Sequence, residues 1–262
     1  MKIYQVDAFT SRLFAGNPAA VVPLDEWLPD ETLQAIAAEN NLSETAFFVG
    51  GGEDGADYHL RWFTPGLEIK LCGHATLASV HVLQNHLGHS GDSVSFSTRY
   101  SGVVNATRRG DVIALDFPAR PYEAVEEEMD FLAALGRQPS EVYRSLYNLM
   151  CVFDNKREVH EIEPDPMAIA AFDAFGIIAT APGAGHDFVS RYFAPRAGVN
   201  EDPVTGSAHC SLAPFWADRL GKKRLTAHQV SWRGGEMICE LHDDRVDLIG
   251  AAVTYLEGEI HL

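Results

Sequence analysis

"PGLEIKLCGHATLASVHVLQ", residues 65–84, changes its hydrophobic period partway along. Leu67, Ile69 and Leu71 alternate with polar positions, as in a strand with one buried face, and from Cys72 onward the apolar residues take helical spacing. Gly73 stands at the change. The order strand, glycine turn, helix returns in "NEDPVTGSAHCSLAPFWADRLG", residues 200–221, where a glycine-containing turn again opens a helix. Two such passages in one chain lead us to expect two α/β halves of similar style.

Outward from the first passage, "YHLRWF" alternates through Tyr58, Leu60 and Trp62 and pairs by expectation with Glu44–Val49 across the turn "GGGEDGAD". Before it, Lys2–Val6 and Ala19–Val22 read as strands, with "FAGNP" as loop chemistry between them. A helix is expected next, with Asp30 as N-cap after Pro29, a buried face of Leu33, Ile36 and Ala37, and a left-handed exit at Asn40-Asn41. The prolines and acidic run of "DFPARPYEAVEEEMD" mark a boundary, giving expected domains 1–118 and 119–262, with the last strand able to pack back on the first domain. The second half supplies strands at "YNLMCVF", "FGIIAT" and "DFVSRYF", a helix near Pro166–Phe172, and terminal strands in "QVSWRGGEMICELH" and "RVDLIGAAVTYLEGEIHL". Pro214, inside the helical pattern, is expected to kink that helix or delay its start.

Of 262 residues, 46% are apolar and 22% charged, the composition of a globular protein. With 20 Lys+Arg against 37 Asp+Glu, the formal charge of −17 repels nucleic acid and anionic membranes. No signal-peptide pattern opens the sequence and no apolar run is long enough to span a bilayer, so a cytoplasmic protein is expected. Cys72, Cys151, Cys210 and Cys239 form no CxxC pair, and the 11 histidines show no metal-ligand spacing, so reduced thiols and no metal are expected. GxGxxG between strand and helix, GxxxxGK[ST] and GxSxG are all absent, which disfavours dinucleotide enzymes, P-loop enzymes and α/β-hydrolases.

Three places carry potential chemistry. Glu44, in "NLSETAFFVG", lies at the mouth of an apolar strand with no basic residue beside it. A carboxyl group drawn out of water holds its proton more tightly, which suits a group that both removes and returns protons; the alternative is a solvated acid just outside the strand. His74, after Gly73 at a helix entrance, is placed where orphan N–H groups attract anions and keep an imidazole neutral, or it is a plain loop or capping histidine. Asp202, restrained by Pro203 so that its side chain is expected to point away from the helix, precedes Thr205, Gly206 and Ser207, which offer hydroxyls and bare backbone at a second helix N-terminus. A cleft joining both helix N-termini could hold one small acid.

Taken together, "VDAFTSRLFAGNPAAVV", "NLSETAFF", "RWFTPGLEIKLCGHATLAS", "NEDPVTGSAHCSLAPFW" and "QVSWRGGEM", in that order, resemble the phenazine-biosynthesis PhzF-like family of isomerases. The resemblance implies the diaminopimelate epimerase-like fold: two similar domains, each a curved, mostly antiparallel sheet around a central helix, with the active site between them. It further implies that Glu44 is the general acid/base, matching the family's S-E-T glutamate. His74 of GHAT, and Asp202 and Ser207 of EDPVTGS, match residues that hold the substrate, and Gly73, Thr205 and Gly206 are expected to contribute backbone donors. The family's best-understood member isomerises a dihydro-hydroxyanthranilic acid without a cofactor. We therefore expect no cofactor, a small carboxylate-bearing substrate, no nucleic-acid or membrane partner, and a homodimer. Two alternatives stand beside this reading: a two-thiol racemase using Cys72, for which the second motif here has no cysteine, and an idle binding or scaffold member.

Overall fold

A buried arginine organises each half of the chain. In "RWFTPGLE" the guanidinium of Arg61 sits 5.0 Å from the Phe63 ring and donates from Nε and Nη2 to both oxygens of Glu68 at 2.8 Å. In "RYFAPRAGVNE" the guanidinium of Arg191 sits 4.9 Å from the Phe193 ring and grips both oxygens of Glu201 at 2.7 and 3.0 Å. Bidentate pairing and an aromatic face offset the cost of taking each charge out of water.

The computed structural model describes all residues, Met1–Leu262. The chain forms two compact units, Met1–Phe117 with Ile249–Leu262, and Pro118–Leu248. In chain order the elements up to the boundary are β1 (Lys2–Ala8), β2 (Asn17–Leu24), α1 (Asp30–Asn40), β3 (Glu44–Gly50), β4 (Tyr58–Phe63), β5 (Glu68–Ile69), α2 (Gly73–Asn85), β6 (Ser93–Thr98), β7 (Gly102–Arg109) and β8 (Val112–Pro118). Then come β9 (Glu123–Ala124), α3 (Leu132–Leu135), β10 (Glu141–Ser145), β11 (Asn148–Val152), α4 (Lys156–His160), α5 (Pro166–Ala170), β12 (Gly176–Pro182), β13 (Phe188–Phe193), α6 (Gly206–Leu220), β14 (Arg224–Gln229), β15 (Gly235–His242), β16 (Arg245–Gly250) and β17 (Ala252–Glu259).

The two units follow one pairing scheme. In the first, β1/β2 are antiparallel, β2/β3 parallel, β3/β4 antiparallel, β4/β6 parallel and β6/β7 antiparallel. In the second, β10/β11, β11/β12, β12/β13, β13/β14 and β14/β15 repeat that alternation. Each parallel step needs a crossover. Helix α1 and then α2 supply it in the first unit; α4 with α5, and then α6, supply it in the second. Helix α2 packs on β1, β2, β3 and β17 and buries nine of its residues, so it is the central helix of its unit. In α6, also with nine buried residues, the contacts fall on β14 and β15. These findings match the expected architecture of mixed α/β units, each with a sheet around one helix.

The segment Ile249–Leu262 groups with the first unit, as the expectation for the last strand allowed, because β17 pairs antiparallel with β1 along its length. Several local expectations need correction. Pro29, not Asp30, is the N-cap of α1, and the Asp30 carboxylate instead accepts from Arg61 and Arg99. Strand β5 covers only Glu68–Ile69, with Leu67 exposed. Helix α6 starts at Gly206 and is continuous through Pro214, so the proline does not delay its start. A proline there deprives the carbonyl four residues back of its partner, and the Arg120 N–H donates to that Cys210 oxygen at 2.9 Å instead. The helix exit at Asn41 is left-handed, with φ 49°, as its residue type suggests. None of the helices is long and apolar enough to cross a membrane.

Candidate active site

Strand β3 begins at Glu44, paired in parallel register with Ala19 of β2, so the carboxylate stands at the strand's mouth. Helix α2 begins at Gly73, with Cys72 as an extended N-cap that makes no side-chain capping bond. These two starts bring Glu44 and His74 together. Glu44 Oε2 lies 3.1 Å from His74 Nε2, with side-chain exposures of 13% and 4%. The carboxylate's ionic partner is thus an imidazole, not the Lys or Arg that would neutralise it permanently. It remains reachable at its exposed edge.

The other ring nitrogen of His74 meets two further groups. Asn17, at the start of β2, places its Nδ2 3.2 Å from Nδ1, and the Cys72 Sγ lies 3.5 Å from the same atom. Asn17 is set by the turn before it: Gly16 has φ +65°, and a Cβ there would come within 2.2 Å of the Ala8 carbonyl oxygen. Burial opposes charge on the His74 ring, yet Cys72 and Glu44 act the other way and raise its pKa well above the ordinary imidazole value. Burial also pushes the Cys72 thiol up, so the thiol is protonated at neutral pH and the charge that counts is that of Glu44. The expectation that the helix N-terminus keeps His74 neutral is therefore corrected, since a carboxylate at 3.1 Å outweighs the orphan N–H groups. Glu44, Cys72 and His74 offer oxygen, sulfur and nitrogen within 4.8 Å of one another. Cys72 faces Nδ1 while Glu44 faces Nε2, so the three do not converge on one point for a metal ion.

In the second unit, Asp202, Thr205, Gly206 and Ser207 lie together at the start of α6, and Ser207 is on the exposed side of its first turn. The Asp202 side chain does not point away from the helix: its Oδ2 accepts from the Thr205 hydroxyl at 2.6 Å. That hydroxyl rewards an inward turn more than the Pro203 restraint opposes it. Gln229 locks the same loop. Its Oε1 accepts the Thr205 N–H at 2.8 Å, and its Nε2 donates to the Asp202 carbonyl at 2.6 Å and to Thr205 Oγ1 at 3.2 Å. Below this, His209 is held 2.7 Å from the Thr205 carbonyl through Nδ1, and burial pulls its pKa down to about 4.

The sequence alone does not single out Asn17, in a stretch with loop chemistry, or Gln229, at the edge of a strand. The signal for Asn17 was the glycine before it, which fixes where β2 starts. Gln229 gave no signal in the sequence, because its partners lie 24 and 27 residues away.

The fold and these geometries can be set beside known proteins. The sequence matches the family described as phenazine biosynthesis-like protein, PhzC-PhzF, over residues 6–258. An uncharacterized isomerase of Pseudomonas aeruginosa is 49% identical over 262 residues, covering 100% of this chain and 99% of its own. A crystal structure of a PhzF-family protein from Enterococcus faecalis superposes with a TM-score of 0.94 at 45% identity, covering 100% of this chain and 99% of that one. A "probable proline racemase" from Agrobacterium radiobacter, with bound carbonate, superposes with a TM-score of 0.66 at 10% identity over 100% of this chain and 93% of that one. At that identity the likeness is one of fold alone, and it agrees with the diaminopimelate epimerase-like architecture. The chain belongs to the phenazine biosynthesis-like PhzC-PhzF family, and its enzyme class is that of an isomerase.

Proposed function

We propose that this isomerase relocates a C–H proton on a small carboxylate-bearing metabolite, with Glu44 as the general acid/base and no metal or organic cofactor in the step. The observation that carries the reading is the contact of 3.1 Å between Glu44 and His74, both mostly withdrawn from water. In the step, the Glu44 carboxylate takes a proton from carbon as the C–H bond breaks. The bond's electrons pass into the substrate's conjugated acceptor. The new carboxylic acid then gives the proton to another carbon, so the substrate is isomerised and Glu44 regains its charge. His74 orients the Glu44 carboxylate through its Nε2. At the second helix start, Asp202, Thr205, Gly206 and Ser207 are assigned to substrate binding, with Gly73 contributing a backbone donor in the first.

The thiol reading has less support. Cys72 is 6% exposed and its thiol is held protonated by burial, whereas a thiol base must be a reachable thiolate. Incubating the protein in deuterated water with a panel of small carboxylates, cyclic and linear, separates the alternatives. The reading expects deuterium uptake that survives Cys72→Ser and a chelator. Uptake lost with Cys72→Ser would favour the racemase, and no uptake from any ligand that binds would favour an idle binding protein.

A further inference from the structure

A second set of ligand-type side chains lies in the other unit, in "ELHDDRVD", residues 240–247. Glu240 and His242 occupy alternate positions of β15, so they share a face. The chain reverses at Asp243, whose φ of 52° is the left-handed conformation that tight turns between strands use, and returns as β16. That return sets Asp247 against His242: Nε2 lies 3.4 Å from Asp247 Oδ2, with side-chain exposures of 55% and 10%. One oxygen of Glu240, a ring nitrogen of His242 and one oxygen of Asp247 all fall within 4.8 Å of one another. A zinc ion with bonds of about 2.0–2.2 Å holds its ligands about 3.5 Å apart. The His242–Asp247 pair already stands at that spacing, and the flexible Glu240 side chain has little more than an ångström to close.

We infer that Glu240, His242 and Asp247 form a binding site for one divalent first-row transition ion, represented by Zn²⁺, which clamps β15 to β16. One imidazole nitrogen with two carboxylate oxygens suits such an ion, whereas Mg²⁺ and Ca²⁺ take oxygen alone. Three protein ligands leave a fourth position to water. Where the ring is protonated, the ion displaces that proton, so binding is accompanied by proton release. Arg224 competes for the third ligand: it stands opposite Glu240 in the β14/β15 register and donates to Oε2 at 3.2 Å. A pair so open to solvent holds weakly, and the carboxylate has a second oxygen to offer. Glu240, Asp243, Asp244 and Asp247 against Arg224 and Arg245 leave the turn attractive to a cation. The set follows none of the local ligand spacings of zinc fingers or HExxH helices, because Asp247 arrives only after the turn. It contains none of the residues assigned to proton transfer, so the ion is structural and proton exchange does not depend on it.

The test is calorimetric titration of the chelator-stripped protein with Zn²⁺ and, separately, with Mg²⁺. The wild type is expected to take up one equivalent of Zn²⁺, far more tightly than Mg²⁺, and its urea midpoint should rise when Zn²⁺ is present. His242→Ala should weaken Zn²⁺ binding by about a hundredfold or more, beyond the usual loss from removing a group that only supports a ligand, and should abolish the rise in midpoint. Glu240→Gln and Asp247→Asn, which keep the side-chain shapes, should also weaken it; Glu240→Gln, at the more exposed position, keeps the test open if the buried Asp247 variant fails to fold. Arg224→Ala removes the competing cation and should bind Zn²⁺ at least as tightly as the wild type. Zn²⁺ binding should be unchanged in Glu44→Gln. The inference is overturned by a wild type that takes up no Zn²⁺, or by an equivalent lost in Glu44→Gln and kept in His242→Ala, which would move the ion to the candidate active site. Binding that responds to His242→Ala but to neither carboxylate variant would be a surface histidine holding zinc adventitiously, and would overturn it as well.

Discussion

At the scale of single residues, Glu44 is noticeable as an acid at the mouth of an apolar strand with no basic neighbour, while its role as acid/base comes from the family resemblance. His74 could be placed at its helix start but not given its charge state, because that depends on a carboxylate 30 residues away in the chain. Asn17 is signalled only by the glycine before it, and nothing local says which ring its amide faces. Buried His209 makes a separate claim about pH. Its pKa lies near 4 in the folded protein against an ordinary 6.5, so the unfolded chain binds the extra proton first as pH falls. The stabilisation is complete above about pH 6.5 and is lost progressively toward pH 4, at a slope of about 1.4 kcal/mol per pH unit for one proton. Unfolding by urea at a series of pH values should show a slope shallower by about one proton in His209→Gln than in the wild type over that window. Equal slopes would mean that His209 is not neutral in the folded state.

At the scale of elements, most strands and both long helices could be read from their periods, since alternation and helical spacing are local properties. What could not be read depends on distant partners. The continuity of α6 through Pro214 rests on an N–H from Arg120, and the shared scheme of the two units is carried by pairings, with "RWFTP" and "RYFAP" as one short stretch in common. Those short matches are the structurally meaningful ones. Arg61 and Arg191 are both nearly buried, so removing the glutamate that grips each leaves a desolvated charge with only part of its support. Glu68→Ala and Glu201→Ala should each lower stability by about 3 kcal/mol in chemical denaturation. Replacing arginine and glutamate together by apolar residues of similar volume, as in Arg61→Met with Glu68→Leu, should cost less than Glu68→Ala alone. A double variant that is less stable than the single one would show that packing, not the unpaired charge, sets the penalty.

At the scale of the whole molecule, the fold was legible because two strand–turn–helix passages and several longer stretches point to one family, and the family match extends over residues 6–258. The substrate was not legible, because a net charge of −17 and a general carboxylate preference describe the solvent-facing field and the chemistry, not the shape of a particular metabolite. The extent of C-terminal return was clear only from pairing, as β17 joins β1 rather than extending the second unit. What gives this architecture a chemical purpose in our account is the single carboxylate of Glu44. The most direct measurement is the ratio of proton-exchange rates of Glu44→Gln and wild type in deuterated water, at saturating carboxylate, with binding and folding followed in parallel. The account predicts a folded variant that still binds the ligand and exchanges about 10²- to 10⁴-fold more slowly. A folded Glu44→Gln protein exchanging at the wild-type rate would contradict it.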